Sequence, residues 1–165
     1  SPYGEAKLAA EREMFERYDG GMGLTGLRLG TVYGWTTGMR FDTVVDKFAL
    51  LAATGQPLTV YRGAEDQQRP YLHVQDSVRS MLFAAEHLGD GEAYNVVGEN
   101  GRLQDVVDAI ERHFPDVEVG YTEAEQLNQL SYVVSDEKIR SEGFETAYTL
   151  DQGVAELADK FRAFL

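Results

Sequence analysis

Leu24-Thr25-Gly26-Leu27-Arg28-Leu29-Gly30-Thr31-Val32-Tyr33 reads as one largely buried strand, closed by Gly34, because apolar and β-branched residues run through it with little alternation. Residues 4–18 before it have helical spacing: Leu8, Met14, Phe15 and Tyr18 fall near one side, and Glu11, Arg12, Glu13 and Glu16 elsewhere. Asp19-Gly20-Gly21 is a helix-ending signal. A helix feeding a buried strand predicts a parallel sheet in an α/β fold, whose ligands gather at the carboxyl ends of strands, here Gly30–Gly34. The overlapping Gly21-Met22-Gly23-Leu24-Thr25-Gly26 spells the dinucleotide fingerprint G-x-G-x-x-G. That fingerprint works only after a strand and before a helix, where helix amides meet a pyrophosphate. Here the order is reversed, so it reads as a helix-to-strand turn. Arg28, inside an apolar run, calls for a structural ion-pair partner.

Downstream, Phe41–Ala53 has helical spacing, with Val44, Val45, Phe48, Leu51 and Ala52 inward, and Gly55-Gln56-Pro57 closes it. Leu58–Tyr61 and Pro70–Val74 read as short extended pieces around a polar loop. Asp76 is placed to cap a helix with an inward stripe of Val78, Met81, Leu82, Ala85 and Leu88. Ala93–Val97 reads as a strand and Gly98-Glu99-Asn100-Gly101 as a turn. Leu103, Val106, Val107, Ile110 and Phe114 mark an amphipathic helix, and Val117–Tyr121 a strand. Residues 122–130 read as polar and irregular, and Leu130–Val134 as extended. Ser135 is placed to cap a short helix, which explains Ser135-x-x-Lys138 better than serine-acylase chemistry does. Thr149 and Gln152 fit a capping box before a last helix with Leu150, Val154, Leu157, Phe161 and Leu165 inward.

The chain has 165 residues, 43% of them hydrophobic, enough for a real core. It has no cysteine, which excludes disulfides and thiolate metal sites, and no clustered ligands that suggest a metal. No run approaches a membrane span of roughly 18 apolar residues, and a cytoplasmic protein is expected. Acids outnumber bases 28 to 15, a net charge of −13 that repels nucleic acid. Few lysines among many acids would also suit a salt-loving source. An anionic ligand would need a local basic spot, so the arginines matter.

Tyr3-Gly4-Glu5-Ala6-Lys7 puts a phenol and an ammonium one helical turn apart on one face. A nearby cation favours the phenolate form of a phenol, and such a pair can accept a proton from a hydroxyl. Alone the spacing is common. In order along the chain it is followed by Leu27–Gly34, by Gly55-Gln56-Pro57-Leu58-Thr59-Val60-Tyr61 leading to Gln67-Gln68-Arg69-Pro70-Tyr71-Leu72-His73-Val74-Gln75-Asp76, and by Tyr94-Asn95-Val96-Val97-Gly98. This ordered set resembles the C-terminal half of extended short-chain dehydrogenases/reductases, and more narrowly their NAD-dependent nucleotide-sugar epimerases and dehydratases.

The resemblance implies an α/β fold: the C-terminal half of a Rossmann-like doubly wound parallel sheet plus a small α/β substrate-binding subdomain. Residues 1–57 would belong to the NAD-binding domain and 58–165 mainly to the subdomain, with 70–97 partly returning to the main sheet. Tyr3 would be the proton-transferring base, with Lys7 favouring its phenolate and bonding the nicotinamide ribose. Gly30 and Val32 would flank the nicotinamide of NAD rather than NADP. Arg69 would meet the substrate pyrophosphate, Tyr61 would border the nucleobase pocket, and Thr31 and Asn95 would face the substrate. His73 would be structural, and His87 and His113 would do no chemistry. The family places a glycine-rich loop and a catalytic Ser or Thr ahead of the tyrosine, where only Ser1 and Pro2 stand here. The chain is therefore expected to be part of a longer protein, inactive alone and homodimeric when full length.

Three positions depart from the family pattern. Thr31 stands where Asn is frequent, Trp35 replaces a usual Pro, and Asn128-Gln129-Leu130-Ser131 lacks a second phosphate-binding Arg. Other readings consistent with these residues are a non-catalytic sugar-nucleotide-binding scaffold and a short-chain reductase of a non-sugar carbonyl. The Gln67-x-Arg69 context argues against the second.

Overall fold

The computed structural model describes residues 1–123 and 131–164. Helix α1 spans Pro2–Glu16; Pro2 is set for its first turn, and Ser1 Oγ accepts the Gly4 N–H at 3.2 Å. The chain then turns through Gly20, at φ +79°, into strand β1 (Thr25–Leu29). The glycine run 21–26 therefore lies between a helix and a strand in that order, and it is a turn.

The single strand expected over 24–33 divides at Gly30 into β1 and β2 (Thr31–Tyr33), and it is half-buried more than buried. The cause is a change of partner. β1 runs parallel to β5 (Glu92–Val96), and β2 runs parallel to β4 (Gln68–His73). Gly30 sits at the switch: its N–H donates to Val96 O at 2.9 Å, and a Cβ there would stand 3.0 Å from Pro70 O. β4 is buried along its last four residues. Tyr71 enters one core, with helices α2 (Val44–Ala53), α4 (Leu103–His113) and α6 (Leu150–Phe164). Its neighbour Leu72 enters the other, with Tyr94, Val96, Ile139 and Phe144. Alternation along one strand thus serves two cores.

β3 (Leu58–Tyr61) matches the expected bounds and pairs in parallel with β7 (Val119–Thr122). The turn expected at 98–101 is instead the start of β6 (Glu99–Arg102), antiparallel to β4, with Arg69 opposite Gly101. Non-local pairing overrides the local glycine signal there. Of the residues read as extended at 130–134, Leu130 lies outside the described residues and 131–134 form no regular element. Residues 124–130 of the polar stretch and Leu165 also lie outside them. No described helix is long and apolar enough to cross a membrane.

Helix α3 (Val74–His87) corrects two expectations. Asp76 is not its cap: His73 is, its ring Nδ1 accepting the Gln75 N–H at 3.3 Å. The Asp76 carboxylate is fully buried and accepts the Ala147 and Tyr148 N–H groups, at 2.9 and 3.0 Å, besides an Arg79 guanidinium. The inward stripe is wrong as well, except at Leu88, which packs against the second core. Val78, Met81 and Leu82 are exposed, and the buried face carries Asp76, Ser77, Ser80 and Ala84. The helix packs against β1, β2 and β4 through that small-residue face.

Of the two remaining caps the sequence offered, that at Thr149 is borne out, whereas the N-cap position expected at Ser135 is held by Asp136. Ser135 Oγ accepts the Glu137 N–H ahead of α5 (Glu137–Ser141), and Lys138 reaches Glu92 and the Ala93 carbonyl. Thr149 and Gln152 form the reciprocal capping box of α6. Arg28 pairs with Glu11 through two bonds, Nε to Oε2 at 2.7 Å and Nη2 to Oε1 at 2.5 Å, tying α1 to β1.

Candidate functional site

The site is organised by the Gly30 switch. Because β1 and β2 take different partners, the chain ends of both open onto clefts rather than onto a continuing sheet. Three clefts meet there, and Thr31 lines all of them. The first is lined by Tyr3, by the run Gly30 to Gly34 and by Arg40 and Asp46. The second runs from Tyr3 past Gly30 to Asn95 and Tyr132. The third leaves Thr31 for Lys47, Thr59, Tyr61, Gln67 and Arg69.

Seven of the eight residues singled out in the sequence, all but Lys7, therefore border this connected space. Lys7 lines none of the three clefts. Its Nζ is 5.5 Å from the Tyr3 ring centroid, on the same outward face of α1, where Tyr3 is 73% exposed. The Ser1 cap fixes the first turn of α1, and the Glu11–Arg28 pair with Phe15 against Gly26 holds its far half on β1. Asn95, opposite Arg28 in the β1–β5 register, uses its amide to donate to Ser135 O at 2.9 Å. Asn100 likewise grips the Val134 backbone with two bonds. Together they lay residues 131–135 alongside the second cleft. The Arg69 Nη1 donates to Gln68 O at 2.8 Å, and its guanidinium lies 5.0 Å from the Tyr132 ring centroid.

Three residues of the site were not anticipated. Asp46 is 3% exposed; its carboxylate accepts the Gly34 N–H at 2.9 Å, and burial pushes it up to about 6 against that bond. An acid inside the apolar run Val44-Val45-Asp46-Lys47-Phe48 was its one sequence signal. Lys47, on the same helix, and Tyr132, in an irregular segment, left no periodic signal.

His73 is structural, as expected. It is buried, stacked on Tyr148 at 4.0 Å and edge-on to Tyr33, with Nε2 3.0 Å from Glu156 Oε2. Burial holds its imidazole below the ordinary range, against the pull of Glu156 and Asp76. His87 and His113 end their helices, α3 and α4. Among the described residues no group of three or more His, Asp or Glu is placed to hold a metal ion.

This chain is similar to known proteins along nearly its whole length. The family model described as NAD dependent epimerase/dehydratase matches residues 1–97. A dTDP-glucose 4,6-dehydratase of Xanthomonas campestris pv. campestris is 31% identical over 121 residues, covering 66% of this chain and 34% of the relative. A trifunctional UDP-glucose 4,6-dehydratase, 3,5-epimerase and reductase of Arabidopsis thaliana is 27% identical, covering 96% of this chain and 24% of the relative. Among solved structures, a UDP-glucose 4-epimerase of Thermotoga maritima with UDP-glucose superimposes at TM-score 0.84 and 26% identity, over 99% of this chain and 54% of that one. The Thermus thermophilus UDP-glucose 4-epimerase in complex with NAD gives 0.79 and 27%, over 100% and 55%. The chain thus spans about half the length of the structures it matches and about a third or less of those two curated relatives. With the match to the family model covering well over half the chain, this α/β protein belongs to the NAD dependent epimerase/dehydratase family.

Proposed function

We propose that these residues form the catalytic and substrate half of an NAD-dependent enzyme that epimerises or dehydrates a nucleotide-linked sugar. One observation carries the reading: Thr31 joins a cleft bordered by the Tyr3 phenol to a cleft bordered by the Arg69 guanidinium. A nucleotide-linked sugar is a molecule with a reacting hydroxyl at one end and a diphosphate and base further on, and the two clefts offer a base for the one and a cation for the other.

The first cleft fits the nicotinamide end of NAD. Its lining includes the apolar Val32, and Gly30 and Gly34 add no side chain to narrow it. When bound there, the nicotinamide supplies a hydride acceptor. The chain's own residues do the rest. Tyr3 takes the proton of the sugar hydroxyl undergoing oxidation; Lys7, one turn along, places a positive charge beside that phenol and reaches the ribose. Thr31 bonds the sugar or its phosphate, Arg69 makes bidentate bonds to the diphosphate, and Tyr61 borders the base. Asn95 acts through the 131–135 segment it fixes. NAD is preferred to NADP. The whole protein forms a homodimer through α1, whose Leu8 and Met14 are exposed.

Incubating the intact protein with UDP- and dTDP-hexoses tests this. Chromatography should show an epimer or a 4-keto-6-deoxy product without added reductant. Binding of the nucleotide sugars with no product would favour a scaffold, and reduction of simple ketones alone would favour a plain reductase.

A further inference from the structure

We propose that Lys47 is a second phosphate-contacting cation of this site, facing Arg69 across the third cleft. The inference rests on the assignment of Arg69 to a nucleoside diphosphate. A diphosphate brings more than one negative charge, and a surface of −13 repels it. One guanidinium leaves part of that charge unmatched. The sequence holds no Lys or Arg between Arg112 and Lys138, so the stretch that passes the site cannot supply another.

Lys47 can. It lines the same cleft as Arg69, Gln67 and Thr31, from the first turns of α2. Among the described residues its ammonium meets no carboxylate. Many other bases of this acid-rich chain do meet carboxylates: Arg28 meets Glu11, Arg40 Asp42, Arg62 Glu123, Arg102 Asp105 and Lys138 Glu92. Asp42, the one acid among the described residues lining this cleft, is the carboxylate already bound by Arg40. A solvent-facing lysine left unpaired in a cleft with an arginine is arranged for an anion that arrives from outside. Four lysines are all the chain has, and this one stands where a compact, mobile-stemmed charge can follow a phosphate that the planar guanidinium fixes.

The test is isothermal titration of UDP, dTDP, UMP and uridine into the intact wild-type protein and its Lys47→Met, Lys47→Arg and Arg69→Met variants, each checked for an unchanged melting temperature. Lys47→Met should weaken UDP and dTDP about 10-fold, UMP less, and uridine less than about 2-fold, and should reduce the salt dependence of UDP binding. Lys47→Arg should stay within about 3-fold of wild type. If Arg69→Met weakens UDP while Lys47→Met does not, the Lys47 assignment is overturned and the site stands. If the wild type binds neither UDP nor dTDP, both fall together.

Discussion

At the scale of single residues, Gly34 and Asp46 show how tightly the site is built. Gly34 has φ +119°, in the region that side chains avoid, and a Cβ there would lie 2.8 Å from His73 Nε2. Gly34→Ala should therefore destabilise the protein by about 2–4 kcal/mol, measured by urea unfolding. Asp46 titrates near 6 when folded and at the ordinary 3.8 when unfolded. Between those values the folded state holds a proton that the unfolded state releases. Its contribution thus favours folding at low pH and is lost as pH rises through about 6. Asp46→Asn keeps an acceptor for the Gly34 N–H without the buried charge. It should raise stability by about 1–2 kcal/mol at pH 8 and change little at pH 4. A variant that loses stability equally at both would contradict this. His73 works in the opposite direction, since its imidazole is held below the usual range and protonation below about 6.5 costs stability. The difference between wild type and Asp46→Asn isolates the carboxyl. Tyr3, Arg69 and Thr31 were legible in the sequence because ordered motifs carry them, whereas Lys47 and Tyr132 come to the clefts only through tertiary placement. If Tyr132 orients Arg69, Tyr132→Leu should weaken UDP binding several-fold and Tyr132→Phe, which keeps the ring, should not.

At the scale of elements, α3 marks the boundary of what periodicity can tell. The 3.6-residue pattern correctly gave a helix, and it gave an apolar stripe of Val78, Met81, Leu82 and Ala85. The sheet instead receives Ser77, Ser80 and Ala84, whose small side chains let the helix approach, and Asp76, which satisfies two N–H groups of the chain entering α6. A pattern identifies an apolar face but not which neighbour meets it. The same gap explains β6: glycines at 98 and 101 signal a turn locally, while pairing with β4 is decided by residues thirty positions away. Asp76 is the element-scale test. Asp76→Ala leaves the Ala147 and Tyr148 N–H groups buried without an acceptor and should cost about 2–4 kcal/mol in chemical denaturation. Arg79→Ala, at a half-exposed partner of the same carboxylate, should cost under about 1 kcal/mol. Equal losses would shift the weight from the backbone bonds to the ion pair.

At the scale of the whole molecule, two cores meet on β4, and the clefts open where β1 and β2 part company. The capping box at Thr149 and Gln152, the Arg28 pair and the parallel arrangement were readable because each rests on local chemistry or on a single alternation. The splitting of the strand at Gly30 was not, since it depends on Val96 and Pro70 reaching it from elsewhere. The exposed Leu8 and Met14 on α1 predict that Leu8→Glu with Met14→Glu converts a dimer of the intact protein to monomer in light scattering; a monomeric wild type would remove the dimer proposal. The proposed chemistry depends on a phenol doing proton transfer from the start of α1. Its most direct test is Tyr3→Phe in the intact protein, with NAD content and nucleotide-sugar turnover measured on the same sample. NAD should be retained and turnover reduced at least about 100-fold; turnover close to wild type would overturn the role given to Tyr3.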